Sequence, residues 1–109
     1  MTAQELPAAA QQFIDGTNAE DRETMLGAFT QDGEVVDFGR TFVGPAGIGG
    51  WSDRENIGTN NRISIQRVVE SNGVFSAAIT VTGKGYNGPG TFEFHLATSG
   101  RIQRLIITG

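Results

Sequence analysis

Residues 62–98 read RISIQRVVESNGVFSAAITVTGKGYNGPGTFEFHLAT, and apolar side chains recur at every second position through much of this stretch. Alternation with a period of two is typical of strands that bury one face of a sheet. Strands are predicted at residues 62–70, 74–82 and 91–98. Turns rich in glycine and asparagine separate them, which favours consecutive hairpins over helical crossovers. The stretch therefore predicts a curved antiparallel meander.

The same alternation assigns side chains to the two faces of the sheet. In the first of these strands, Ile63, Ile65 and Val69 share one parity, and we expect them to point into the core. In the third strand, Glu93 and His95 have the opposite parity to the phenylalanines beside them. We expect both to lie on the outer face.

The final predicted strand, near the carboxyl end, is apolar on both faces. Ile102 and Ile106 share one parity, whereas Leu105 and Ile107 share the other. An antiparallel strand of this kind needs a cover on each side, and no predicted helix is left to supply the second cover. We therefore expect a homodimer through the outer sheet face, at Ile102, Arg104 and Ile106.

Helices dominate the first half. Pro7 suits a first helical position, and apolar residues then recur at spacings of three and four as far as Asn18. Asn18 or Asp21 is expected to cap a second, shorter helix that carries Phe29 inward.

A short strand is predicted at residues 34–38, and residues 39–43 either continue it or return as a hairpin. A third helix, at residues 45–56, contains three glycines, so packing of Trp51 must hold it. The order of elements predicts an α+β fold in which a curved antiparallel sheet is accompanied by about three helices.

Composition excludes several classes of function. A length of 109 residues fits one domain, and an apolar content of 38% can build a core. The absence of cysteine excludes disulfides and thiolate metal sites, and favours a reducing, cytoplasmic location. Eight basic and twelve acidic residues give a net charge of −4, which argues against nucleic acid as a partner. Neither a signal peptide nor a membrane span is expected.

Two motifs that often carry chemistry lack the required context. Residues 83–88, GKGYNG, match the pattern G-x-G-x-x-G, but a dinucleotide site needs a helix after the glycines, and a strand is predicted there. We interpret the segment as a glycine-rich hairpin turn. His95 is the only histidine, and no cluster of possible metal ligands surrounds it. We expect no cofactor and no metal ion.

Asp37 is the acidic residue with the clearest functional potential. It lies among apolar neighbours in the sequence VVDF at residues 35–38, and a carboxylate at the rim of a core is costly unless it is hydrogen-bonded. Either Asp37 turns outward to water or caps a turn, or it serves as a general base or ligand acceptor at the mouth of a cavity. Trp51 is either a core anchor or a wall of that cavity.

Short motifs occur in a characteristic order along the chain: FIxxxNAED at residues 13–21, FxxDG at 29–33, VD at 36–37, FVGxxxIxxW at 42–51 and GRIxxL at 100–105. Together they resemble the nuclear transport factor 2-like (NTF2-like) superfamily, in its SnoaL-like polyketide cyclase and ketosteroid isomerase-like branch. The resemblance covers nearly the whole length. It implies a cone in which a curved sheet wraps the first helix around an apolar pocket, and dimerisation through the outer sheet face.

The resemblance also implies roles for individual residues. Asp37 falls where ketosteroid isomerase-like members place their general base. Their two oxyanion donors, a tyrosine and a protonated acid, correspond here to Phe13 and Phe92, which argues against isomerisation of a steroid type. The residues expected to bind an apolar ligand are Phe13, Phe29, Trp51, Phe75, Ile79, Phe92, Phe94 and Leu105.

Two classes of function follow from the sequence. In the first, the protein is an enzyme of the cyclase, isomerase or dehydratase kind, and Asp37 moves a proton on an apolar ligand. In the second, it is a non-catalytic ligand-binding or dimerisation module of the same fold. The sequence alone favours neither reaction nor ligand, because one fold can host many functions.

Overall fold

A six-stranded sheet and three α-helices form the fold in the computed structural model, which describes residues 5–109. The helices are α1 (Ala8–Asn18), α2 (Arg22–Gly27) and α3 (Gly44–Glu55), and a single 3-10 turn follows at Ile57–Thr59. The strands are β1 (Phe29–Asp37), β2 (Arg40–Val43), β3 (Arg62–Ser71), β4 (Val74–Thr82), β5 (Gly88–Leu96) and β6 (Ile102–Thr108). The predicted α+β class is confirmed.

The sheet has the strand order β2-β1-β6-β5-β4-β3. Strands β3 to β6 form the predicted antiparallel meander. Strand β1 pairs antiparallel with β2 but parallel with β6, so the complete sheet is mixed. The parallel pair arises because the chain leaves β2 through α3 and returns to β1 only with its last strand.

The helix ends show which of the two candidate residues, Asn18 or Asp21, caps the second helix. Asp21 caps α2, since its carboxylate accepts a hydrogen bond from the Thr24 backbone N–H at 3.1 Å. Asn18 instead ties α1 to the sheet: its side chain accepts from the Ile63 N–H at 2.7 Å and donates to the Ile63 carbonyl at 3.0 Å. Phe29 was expected on the second helix, but it is the first residue of β1 and points inward from there.

Two irregularities in strand pairing overturn the predicted faces. The β3–β4 register shifts between Ile65 and Arg67, so Val68 is buried whereas Val69 is 43% exposed. The expectation that Val69 points into the core was therefore wrong. Ile65, also expected in the core, is 36% exposed.

A second shift, on the β5–β6 pair, changes the parity of β6. The register skips between His95 and Leu96, and both Ile102 and Leu105 are fully buried as a result. The assignment of Ile102 to the outer face was wrong for this reason. Arg104 is exposed and Ile106 is half-buried.

Aromatic side chains fill the centre of the cone. Phe13, on α1, is completely buried, and its ring centroid lies 5.7 Å from that of Phe29, 5.9 Å from that of Phe92, 6.4 Å from that of Phe94 and 6.5 Å from that of Trp51. The three contacts between phenylalanines are edge-to-face and the contact with Trp51 is stacked; aromatic pairs of both kinds add to the stabilisation from burial alone. The cluster joins α1 and α3 to both halves of the sheet.

Candidate functional site

Asp37 is the last residue of β1 and is almost completely buried. Its Oδ2 accepts one hydrogen bond from the Trp51 indole Nε1 at 3.0 Å and another from Arg40 Nη2 at 2.9 Å. Arg40 reaches Asp37 because a two-residue turn separates β1 from β2 and pairs the two residues across the hairpin. The expected desolvation cost of the carboxylate is thereby offset.

Only one oxygen of this carboxylate is engaged. Among residues 5–109 no donor contacts Asp37 Oδ1, and no buried polar side-chain atom of these residues lacks a partner. Oδ1 is therefore accessible from outside the core.

Arg40 is shared between two carboxylates. Its Nη1 and Nη2 donate to the two oxygens of Glu55 at 2.8 and 2.7 Å, a bidentate geometry that fits a planar guanidinium. The hydrogen bond from Arg40 lowers the pKa of Glu55, and the same contact raises the pKa of Arg40. Two negative charges thus face one positive charge, which leaves the group with a net charge of −1.

A cavity of about 270 Å³ opens beside this charged group. Its apolar walls come from the β1–β2 turn, α3 and three strands: Phe38, Trp51, Ile79, Val81, Phe92 and Ile107. Polar side chains around it include Asp37, Arg40, Glu55, Asn56, Thr59 and Asn61. Ligand cavities usually measure roughly 300 to 1,000 Å³. This cavity lies just below that range, so it suits a ligand smaller than a typical drug-sized molecule.

On one side of the cavity, the side chains of Asn56 and Asn61 are held in a network of hydrogen bonds. Asn56, directly after α3, donates to Thr17 Oγ1 at 3.1 Å. Asn61 donates to the Glu55 backbone carbonyl at 3.2 Å and accepts from Thr59 Oγ1 at 3.0 Å. These bonds fix the end of α3 against α1 and position Glu55.

Solved structures of similar fold extend along almost the entire chain. A polyketide cyclase candidate from Sinorhizobium meliloti has 20% identity and a TM-score of 0.84, over 99% of this chain and 100% of its own. An NTF2-like protein of unknown function from Cytophaga hutchinsonii has 13% identity and a TM-score of 0.79, over 98% and 92% of the two chains. The chain has the NTF2-like fold. The resemblance predicted from the ordered motifs is confirmed at this level.

A third structural neighbour was solved with a bound small molecule. This Mycobacterium tuberculosis protein, in complex with estradiol-17beta-hemisuccinate, has 15% identity and a TM-score of 0.81, over 94% of this chain and 93% of its own. The sequence matches no protein-family model and no curated protein.

The NTF2-like cone brings together part of the predicted site. Asp37, Trp51, Ile79 and Phe92 line the cavity. The other predicted ligand-binding residues pack in the core or at its edge and do not line it: Phe13, Phe29, Phe75, Phe94 and Leu105.

The aromatic cluster explains why these five residues do not line the cavity. The ring of Phe13 occupies the middle of the cone and contacts Phe29 and Phe94, so it closes off the inner space that the resemblance assigned to a ligand. Phe75 lies near the start of β4 and pairs with Phe94, whereas the cavity lies near the end of β4, at Val81.

Several residues that line the cavity were not predicted as site residues from the sequence. Arg40 could have been found, because a tight turn after Asp37 places residues 37 and 40 opposite each other. Glu55 gives no such local signal, since it lies on α3, fifteen residues beyond Arg40. Tyr86 lies in the segment interpreted above as a hairpin turn, and its side chain is both exposed and part of the cavity lining.

The glycine-rich segment forms the turn between β4 and β5, and a strand follows it as predicted. The Asn87 side chain bridges this turn, because it donates to the Gly83 carbonyl and accepts from the Gly83 N–H. No group of three or more acidic or histidine side chains in residues 5–109 is placed to hold a metal ion. None of the helices in that range is long and apolar enough to cross a membrane.

Proposed function

We propose that this protein binds a small apolar molecule that carries a hydrogen-bond donor. The observation that carries the proposal is the juxtaposition of apolar walls, from Trp51, Val81 and Phe92, with the accessible Oδ1 of Asp37. Apolar pockets with a few well-placed polar groups are the usual form of a small-molecule site. The steroid ester bound by the Mycobacterium tuberculosis neighbour supports the same use of this fold.

Binding is favoured over catalysis by the way the polar groups are occupied. Arg40 is held by Glu55 and Asp37, and the Tyr86 hydroxyl donates to the Pro89 carbonyl. Stabilising a developing oxyanion requires donors aimed into the cavity. Donors that already have partners would have to give them up first.

Acid–base catalysis by Asp37 is the second candidate function. It is favoured by one observation: Asp37 lines the cavity, and one of its two carboxylate oxygens has no donor among the described residues. A carboxylate in that position can accept a proton from a bound ligand. The cyclase, isomerase and dehydratase reactions considered above remain proposals of this kind.

A library of neutral one- and two-ring compounds, screened by ligand-observed NMR, tests the binding function. Val81 is 7% exposed and lines the cavity, so Val81→Phe should fill the space and abolish binding of every hit. Val69→Phe, at a position 43% exposed and outside the cavity lining, is the matched control. The proposal fails if no compound binds or if Val81→Phe binds as the parent does. If the parent protein chemically converts one of the hits and the Asp37→Asn variant does not, catalysis is favoured over binding alone.

We also propose a homodimer through the outer sheet face, at Arg104 and Ile106. Ile106 is half-buried and pairs with Val36 on the neighbouring strand. Ion pairs flank this apolar strip, with Arg104 Nε 2.7 Å from Glu34 Oε1. An apolar centre inside a polar rim is the usual composition of an interface. The cytoplasm remains the proposed location, on the basis of the cysteine-free sequence.

A further inference from the structure

The charge beside the cavity is not balanced. Asp37 and Glu55 both contact Arg40, and Arg40 directs two of its donors at Glu55. Arg40 is the single basic residue among the described residues that line the cavity. Asp37 therefore shares a cation that is already committed to a bidentate pair. Arg54 acts on Glu55 through space but does not line the cavity, so one negative charge of the lining has no ion-pair partner of its own.

Aromatic rings surround the same opening. Phe38 and Tyr86 lie at its mouth and are 62% and 55% exposed, and Trp51 and Phe92 lie deeper. The faces of aromatic rings attract cations, most strongly where water is excluded. A cavity with an uncompensated carboxylate and aromatic walls is thus electrostatically suited to a positive ligand.

Phe38 occupies its place at a local cost in backbone energy. It has a φ of 50° and precedes Gly39, with a φ of 83°. The β3–β4 turn has the same form, with φ values of 53° at Asn72 and 81° at Gly73. Asn-Gly is the favoured pair for such a turn, whereas a bulky side chain is rare there. Strain held at the rim of a cavity is typical of positions kept for contact with a ligand.

We propose that the ligand is a small apolar amine, bound as its ammonium ion. This inference rests on the proposed binding function and specifies its ligand class. The ammonium group donates to Asp37 Oδ1, while the hydrocarbon part packs against Trp51 and Phe92 and the rings at the mouth face the charge. A carboxylate ligand is repelled by Asp37 and Glu55. An alcohol forms the same hydrogen bond without the charge.

Three probes of nearly equal shape separate these cases: benzylamine, benzyl alcohol and benzoate. We expect isothermal titration calorimetry at neutral pH and low salt to give an affinity for benzylamine about ten-fold above that for benzyl alcohol, since a hydrogen bond between charged groups is the stronger one. Benzoate should not bind. Equal or tighter binding of the alcohol, or any preference for benzoate, overturns the inference and leaves the binding function standing. If none of the three binds while a compound of the neutral library does, the inference fails and the binding function stands; if no compound of either set binds, both fail.

Two variants test the origin of the preference. Glu55→Gln leaves Asp37 in place but frees Arg40 to neutralise it, so the ten-fold preference for benzylamine over benzyl alcohol should fall several-fold. Asp37→Asn should remove the preference altogether. Asp53→Asn is the matched control, because Asp53 pairs with Arg22 on the surface and does not line the cavity.

Circular dichroism confirms that each variant is folded before titration. An unchanged preference in Glu55→Gln contradicts the charge argument even if Asp37→Asn fails to fold. A loss of preference in Asp53→Asn contradicts it as well, since the effect would then follow from net charge alone.

Discussion

Phe38 sits in a turn conformation that suits asparagine better than phenylalanine. We predict that Phe38→Asn raises the free energy of unfolding by about 1 kcal/mol, because asparagine enters the left-handed region more easily than a bulky side chain. Little burial is lost, since Phe38 is 62% exposed. The midpoint of urea denaturation measures the change. The affinity for benzylamine should fall in the same variant, so that stability and binding move in opposite directions.

The second hairpin supplies the control for this prediction. Asn72→Phe, at a φ of 53° against 50° for Phe38, should lower stability by a similar amount. If both substitutions destabilise the protein, contacts of the Phe38 ring outweigh the backbone strain, and the argument from turn geometry is wrong.

Glu55 gives the stability a defined dependence on pH. The hydrogen bond from Arg40 lowers the pKa of Glu55 below its ordinary value of 4.5. A carboxyl group whose pKa is lower in the folded state stabilises the fold above the unfolded pKa, and this contribution is lost as the pH falls through the folded pKa. We predict that Glu55→Gln is less stable than the parent at neutral pH and that the difference shrinks below about pH 4.5.

Urea midpoints measured across a pH series check this dependence. Glu5→Gln is the control, because Glu5 is an exposed glutamate with no ion-pair partner in residues 5–109. A difference between parent and Glu55→Gln that grows towards acid pH has the wrong sign and rules out the pair with Arg40 as its source.

At the level of elements, β3 shows how one irregular residue decides which side chains are buried. Val68 is 8% exposed and Val69 is 43% exposed. We predict that Val68→Ala costs about 1 to 3 kcal/mol of stability through the lost methyl groups and the remaining cavity. Val69→Ala should stay within about 0.5 kcal/mol of the parent. If Val69→Ala instead proves the more destabilising of the two, Val69 is the buried residue, and the register shift in β3 is contradicted.

Two glycines in helices have opposite expected responses to alanine. A Cβ at Gly16 would lie 2.6 Å from the Met25 backbone nitrogen, which cannot move without separating α1 from α2. A Cβ at Gly47 would meet nothing closer than 3.4 Å. We predict that Gly16→Ala destabilises by about 1 to 3 kcal/mol, whereas Gly47→Ala stabilises by about 0.5 to 1 kcal/mol through helix propensity. Thermal unfolding of the two variants tests both signs, and a stable Gly16→Ala would contradict the close helix contact.

The same elements show which parts of the fold were predictable. From Ala77 onward β4 alternates regularly, and Ala77, Ile79 and Val81 are buried as this alternation in the sequence predicts. The alternation of a single strand gave the wrong face where its pairing with another strand shifts in register, as at Ile102. The sequence of β6 alone contains no signal for that shift. The parallel pairing of β1 with β6 is equally non-local.

For the whole molecule, the position of the cavity follows from where the cone is filled. Phe13 and its aromatic contacts block the centre, and the cavity beside Asp37 opens towards the hairpin turns at Phe38 and Tyr86. The sequence indicated Asp37 and Trp51 separately as candidate site residues, but their hydrogen bond to each other and the ion pairs of Arg40 with Asp37 and Glu55 depend on how α3 packs against β1 and β2. That packing brings together residues from three elements, which periodicity cannot reveal.

The outer face of the sheet is the proposed dimer interface, and a charged substitution at its centre tests it. Ile106 lies in the middle of this face, beside Val36 and opposite Glu93. If two copies pair there, Ile106→Asp places an unpartnered carboxylate in the interface, and the dimer dissociation constant should rise by about 100-fold or more. Sedimentation equilibrium measures the constant, and Ala46→Asp, at an exposed site on α3, is the control of equal charge. A parent that is monomeric at every concentration, or an Ile106→Asp variant that dimerises as the parent does, would place the interface elsewhere or remove it.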